Sequence, residues 1–455
     1  MTDLREHDVL DDLVPEPASE DSETPTLALL RRIEQRSARV VVVGQGYVGL
    51  PVAMRAAQLG FPTVGYDVDP RRVADLQAGH SYVGDVSDAE VSEALAQRYK
   101  ATDQLGDLAG FDIAVITVPT PLRDGAPDLR YIEAAGRSLA RVLKAGALVV
   151  LESTTYPGTT EEFLRPLLEE SGLRAGRDFL LGYSPERIDP GNPTWQFVNT
   201  PKVVSGMDET STRAVAMFYG TLVDRVVEVG STAEAELVKI LENTYRHVNI
   251  ALVNELAMFA RELGVDVHKA IDAAGTKPFG FTPFRPGPGV GGHCLPIDPS
   301  YLSWRVRQNL GRTFRFVELA NDVNEHMPDY VVDRVMRLLN EHGRAVRGSR
   351  VLLLGLAYKG GTSDWRESPS LAVANKLARL GADLRTCDPW VGLDADLGLP
   401  GTRVDYSPET LSDADLVVLL VDHPEFDPAE VAAHSSIVFD AKARLRGHDF
   451  CGEIL

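Results

Sequence analysis

The 455-residue chain is 44% hydrophobic and 25% charged, enough for two or three domains each with its own core. Its net charge of −20 argues against a nucleic-acid partner, so an anionic substrate needs a local basic pocket. Three scattered cysteines (Cys294, Cys387 and Cys451) exclude a disulfide framework and present no metal motif. With no apolar run of membrane-span length and no signal-peptide pattern, the expectation is a cytoplasmic enzyme without a membrane partner.

In chain order, residues 1–37 read as an acidic, disordered leader: the first 25 residues hold nine Asp or Glu against one Arg. A short helix around Leu27–Gln35 is expected to lead into the fold. Between 38 and 230, short β-branched runs (Arg39–Val43, Phe61–Asp67, Ile113–Val118, Ala147–Leu151) alternate with helical patterns. From Ala233 to Leu263 there is no Pro or Gly, and Leu237, Ile240, Leu241, Tyr245, Val248, Leu252, Leu256 and Phe259 recur at helical spacing. Gly275–Pro299 is a long Gly/Pro-rich loop, and Ser300–Asn340 reads as helical, closing a central region at 231–340. Strand patterns resume at Arg350–Gly355, Thr386, Leu416–Val421 and Ile437–Asp440, within a second α/β unit at 341–455. The predicted fold is α/β: two Rossmann-like, doubly wound parallel-sheet domains joined by a long central helix.

Val40–Val43 runs into Gly44-Gln45-Gly46-Tyr47-Val48-Gly49 and then a helical pattern. In strand–GxGxxG–helix order, the first glycine makes the turn, the second admits a pyrophosphate and the third packs helix on strand. Asp67 ends the next strand, 18 residues after Gly49, where a carboxylate accepts from both ribose hydroxyls and repels a 2′-phosphate. NAD is therefore favoured over NADP, with Arg71 and Arg72 close by in opposition. Tyr47, Val48 and Arg72 complete the expected cofactor surface, with Pro119 and Thr120 after one strand and Thr154 after the next.

Cys294 sits in the glycine-rich segment Arg285–Pro299, where it is either a nucleophile on a ligand-hugging loop or a buried structural thiol. Lys239 and Asn243, at i and i+4, share one helix face; they read either as donors to a developing oxyanion or as a solvated surface pair.

Taken together, Gly44–Gly49, Val118–Pro121, Glu152–Gly158, Tyr183–Glu186, Glu236–Asn243, Gly287–Pro299 and Gly355–Pro369 resemble the UDP-glucose/GDP-mannose dehydrogenase family, in family order. The resemblance implies an N-terminal NAD domain, a central dimerisation region and a C-terminal UDP-binding domain, with a UDP-sugar as substrate, a homodimer or larger homo-oligomer, and no metal. It maps the nucleophile onto Cys294 and the oxyanion-stabilising pair onto Lys239 and Asn243. Asp298 matches an acid working with Lys239 and a water, Thr154 the threonine orienting that water, and Glu186 a glutamate of the hydrolytic step. Lys359 matches a substrate lysine and Arg366 an arginine at the cofactor site. Arg187, Arg285, Gly289, Gly291 and Tyr358 join Glu186, Lys239, Asn243 and Lys359 as expected substrate contacts. Two positions depart from the UDP-glucose branch: Ile297 stands where that branch has lysine, and Pro190 where it has a second glutamate. His293–Pro299 and Phe316–Ala320 are more similar to the branch acting on UDP-N-acetylhexosamines, UDP-N-acetylglucosamine above all. The implied reaction is an NAD-dependent, four-electron oxidation of a C6 alcohol to a carboxylate.

Overall fold

The computed structural model describes residues 24–455 apart from Asp124, Pro190, Gly191, Pro193, His293, Cys294 and Asp394. Most of the expected leader and the expected nucleophile Cys294 therefore lie outside the described residues. Where the sequence places the leader's end at 37, the structure moves it back: Pro25–Glu34 is a helix. The Thr24 hydroxyl caps it, Pro25 starts it, and Leu29, Leu30 and Ile33 bury into the first core.

The first sheet is built from β1 (Val40–Val43), β2 (Thr63–Tyr66), β3 (Tyr99–Thr102) and β4 (Ile113–Ile116), then β7 (Leu148–Leu151), β8 (Leu180–Tyr183), β9 (Lys202–Gly206) and β10 (Val226–Glu228). A separate two-residue hairpin, β5 (Leu122–Arg123) with β6 (Ala126–Pro127), follows β4. The sheet order is β10-β9-β8-β7-β4-β1-β2-β3. All its pairings are parallel except β8 with β9, which is antiparallel, so the sheet is mixed rather than purely parallel. Its central strands are apolar throughout because both faces are covered. Val40 and Val42 pack into one core with Leu50 and Phe61, and Val41 and Val43 into the other with Phe111 and Leu139.

The second sheet comprises β11 (Arg350–Leu354), β12 (Asp383–Cys387), β13 (Thr402–Arg403), β14 (Leu416–Leu419), β15 (Val438–Asp440) and β16 (Gly452–Ile454). It is parallel throughout, in the order β13-β12-β11-β14-β15-β16. Val351 and Leu353 face a core shared with Val331 and Val335, while Leu352 and Leu354 face Leu411 and Phe426.

Between the sheets runs the helix Thr232–Glu262, 31 residues and so about 46 Å long. Ser231 caps its start. The stretch expected to be one helical run from Ser300 is two helices, Asp298–Leu310 and Arg315–Glu341. Gly311, left-handed at φ 61°, terminates the first of them, as glycine does at helix ends.

Candidate active site

At the end of β1 the chain turns through Gly44 (φ 96°), where a Cβ would stand 2.8 Å from the Thr117 carbonyl oxygen. A Cβ on Gly49 would lie 1.9 Å from the Gly44 carbonyl oxygen, so only glycine lets the helix Gly49–Gln58 start there. A Cβ on Gly46 would meet nothing within 4 Å, so bare backbone faces open space. No side chain caps the helix, which leaves its first N–H groups to an anion. Asp67 is buried; one oxygen accepts from the Gln45 amide and the other from the Asp69 amide, both at 2.9 Å. A carboxylate has about four acceptor positions, so two remain for a diol. Arg72 stands 3.5 Å from Asp67 and lies over the Tyr82 ring. Tyr47 and Pro119 are exposed on the same rim, with Val48, Thr120 and Thr154 half-buried. An open glycine turn, an uncapped helix and an acid on the next strand fit a dinucleotide.

The second site grows from the long helix. Asn243 donates to Asp298 at 2.7 Å, and both are buried. Burial pushes the Asp298 carboxyl up to about 6, against the opposing pull of the Lys239 ammonium and the Asn243 bond. The charge of Lys239 reaches Glu186 as well as Asp298. Glu186, Asn243 and Asp298, all buried, and the half-buried Lys239 thus share one neighbourhood although they span more than a hundred positions of the chain.

Glu186 is held by more than the sequence discloses. Its Oε1 accepts from the Arg187 and Ile188 amides, each at 2.6 Å, and its Oε2 from Lys202 at 3.0 Å. Lys202 also pairs with Glu152, whose other oxygen accepts from Tyr219. Two buried carboxylates share one lysine, which favours a proton on one of them. Glu152 is driven up by burial and by Glu186, whereas Glu186, with its three N–H donors, stays ionised. Glu152 is legible in the Glu152–Gly158 segment, but nothing in the pattern singles out Lys202 at the head of β9 or Tyr219 within a helix.

Glu236, one turn before Lys239, is likewise missed as a functional side chain. It accepts from the Gly158 amide and from the Thr160 amide and hydroxyl, fixing the segment after Thr154 to the long helix. Burial lifts its carboxyl to about 7.

The glycine loop rests on the C-terminal unit. A Cβ on Gly289 would stand 3.0 Å from Pro369, one on Gly291 2.6 Å from the Glu367 carbonyl oxygen, and one on Gly292 2.9 Å from the Tyr358 ring. These glycines are required by the protein's own packing, so their presence does not by itself call for a ligand. Lys359 reaches across to Asp189, 2.8 Å away, next to the segment that carries Glu186. Arg187 is engaged by Glu242 and the Pro201 carbonyl. Arg285 and Arg366 make their ion pairs elsewhere, with Asp272 and Asp364.

Three sequence families match in succession: the NAD-binding domain of UDP-glucose/GDP-mannose dehydrogenases over 38–223, the central domain over 233–326 and the UDP-binding domain over 352–446. The UDP-N-acetyl-D-glucosamine 6-dehydrogenase of Pseudomonas aeruginosa is 38% identical over 395 residues, covering 85% of this chain and 91% of that protein. The UDP-N-acetyl-D-mannosamine dehydrogenase of Pyrococcus horikoshii is 37% identical over 390 residues, covering 85% and 90%. The solved structure of the UDP-D-ManNAc dehydrogenase from Pyrococcus horikoshii superposes with a TM-score of 0.83 at 35% identity, covering 91% of this chain and 98% of that one.

Proposed function

The chain belongs to the UDP-glucose/GDP-mannose dehydrogenase family, and from that premise we propose that its substrate is a UDP-N-acetylhexosamine, UDP-N-acetylglucosamine first. It is an NAD-dependent nucleotide-sugar 6-dehydrogenase with a Rossmann fold. Bound NAD supplies the hydride acceptor, held by the Gly44–Gly49 turn, Asp67, Arg72, the Pro119-Thr120 rim and Thr154.

The observation that carries the reaction scheme is the buried Asn243–Asp298 bond, within the field of the half-buried Lys239, at the root of the loop that bears Cys294. A water held by Asp298 and Lys239 takes the C6 hydroxyl proton. The Cys294 sulfur then bonds to the aldehyde carbon, giving a thiohemiacetal, and after the second oxidation the sugar is a thioester on the same sulfur. Lys239 and Asn243 donate to the oxyanions; one such donor is worth about 10²–10³ in rate. Water positioned by Thr154 and Glu186 releases the carboxylate.

The N-acetyl preference is supported by Ile297. It packs against the apolar group of Tyr156, Ile240 and Tyr301, where the UDP-glucose branch carries a lysine. A second reading, UDP-N-acetylmannosamine, is favoured by the Pyrococcus relative. We place the enzyme in the cytoplasm on its cysteine usage; among the described residues no helix is long and apolar enough to cross a membrane.

We further assign the exposed stripe Leu241, Tyr245, Leu252, Leu256 and Phe259 on the long helix to a second copy of the chain. Incubation with NAD⁺ and each UDP-hexose, following NADH and product mass, tests the substrate. UDP-N-acetylglucosamine is expected to give two NADH per uronic acid at the highest kcat/KM; turnover of UDP-glucose alone contradicts the proposal.

A further inference from the structure

The cluster around Glu186 has more parts than the scheme above uses. Lys202, at the start of β9, is 4% exposed yet carries an ammonium; it can be charged there only because Glu152 after β7 and Glu186 after β8 face it. Tyr219, from the helix Glu209–Leu222, donates to Glu152 and is fully buried. Lys239 from the long helix is the remaining charge acting on Glu186. The five groups come from or follow five different elements, and such an arrangement costs stability unless every charge is matched.

We propose that Lys202 is a positioning residue of the hydrolytic half-reaction: by bridging Glu152 and Glu186 it fixes Glu186 as an ionised hydrogen-bond acceptor for the water that cleaves the thioester. The inference rests on the hydrolytic role given above to Glu186. With the proton on Glu152, the charges of Glu186 and Lys202 cancel and the buried cluster is neutral. In the step itself, the water oxygen bonds to the acyl carbon and the carbon–sulfur bond breaks. The bonding pair leaves on the Cys294 sulfur, and the water's proton passes to the Glu186 side of the cluster. Three N–H donors leave Glu186 a weak base but a well-oriented one, so direction rather than basicity is its contribution.

The test follows decay of the acyl-enzyme on the full-length protein, by rapid quench and mass spectrometry after a single charge of UDP-N-acetylglucosamine and NAD⁺, from pH 5 to pH 8. Lys202→Met removes the cation. Glu186 then gains affinity for a proton, so an acid limb that the wild type does not show between pH 5 and pH 8 enters that window, with the rate at pH 5 falling about tenfold or more. Formation of the first NADH changes by less than about threefold. Lys202→Arg restores the wild-type pH profile. Glu152→Gln, an isostere of the protonated acid, leaves the profile in place.

Decay in Lys202→Met with unchanged rate and pH dependence overturns the proposal. If that variant does not fold, a Glu152→Gln profile shifted upward, or a Lys202→Arg profile unlike the wild type, overturns it equally. Glu186→Gln separates the two layers. Normal acyl-enzyme decay in that variant removes Glu186 from hydrolysis altogether, whereas an arrested Glu186→Gln beside an unaffected Lys202→Met removes only the role of Lys202.

Discussion

Burial raises the Asp298 carboxyl to about 6, which places it where a proton can be both taken and returned near neutral pH. The rate of the first oxidation is expected to fall as pH drops through about 6, because the ionised form accepts the proton. Stability runs the other way. The folded-state value lies above the unfolded one, so the contribution of this group is complete below the unfolded value and is lost as pH rises through about 6. Asp298→Asn should therefore hold or raise the melting temperature at pH 7.5 while cutting kcat by about 10²–10⁴ and abolishing the acid limb. A pH–rate profile and thermal melts of the two proteins check both signs. At Asp67, replacement by Ala should reduce the preference for NAD over NADP, measured as the ratio of kcat/KM values; an unchanged ratio would remove this residue from the ribose site. Lys239 and Asn243 stand out in the sequence by their i, i+4 spacing, but Asp298 joins them only through resemblance, because no local pattern links residues 55 positions apart. Lys202 has no signal at all: a lysine at a strand's first position is ordinary, and only the sheet order brings it against β7 and β8.

At the level of elements, short β-branched runs were enough to reveal β1, β2, β4 and β7, since strands buried on both faces cannot hide their composition. Strands β3, β9 and β10 mix polar residues into short runs at or near a sheet edge and so resemble loops. The break at Gly311 is equally hard to read, because apolar spacing continues on both sides of it. The glycine loop carries a double meaning: its composition reads as ligand approach, while the structure shows it lying against Tyr358, Glu367 and Pro369. Gly291→Ala should thus act through packing, costing about 1–3 kcal/mol in a denaturant melt as the loop is pushed off the C-terminal unit.

Across the whole molecule, the two α/β units solve the same turn twice. Gly44 (φ 96°) donates to the Tyr66 carbonyl and Gly355 (φ 95°) to the Cys387 carbonyl, each at 2.8 Å, and an aspartate follows each second strand. Asp67 is left with acceptor capacity, but Asp388 is filled by the amides of Leu356, Ala357, Trp390 and Val391 and by His423. These bonds hold the Asp388 carboxyl at about 2, so its stabilisation is present above the unfolded value and is lost as pH falls through about 2. His423→Ala should cost about 2–4 kcal/mol at neutral pH, read from the denaturant midpoint. The α/β class and the connecting helix were legible in the sequence. The mixed pairing of β8 with β9 was not, since strand direction leaves no trace in composition. For the exposed stripe of the long helix, Leu252→Glu with Leu256→Glu should shift the sedimentation of the protein toward the monomer.

The central claim is that one thiol carries the sugar between two oxidations, and Cys294→Ser tests it most directly. With UDP-N-acetylglucosamine and excess NAD⁺, wild-type protein should yield two NADH per uronic acid and a covalent sugar adduct on quenching. The serine variant should give no adduct and no carboxylate, stopping at or before the first NADH. Normal carboxylate formation by Cys294→Ser would contradict the account.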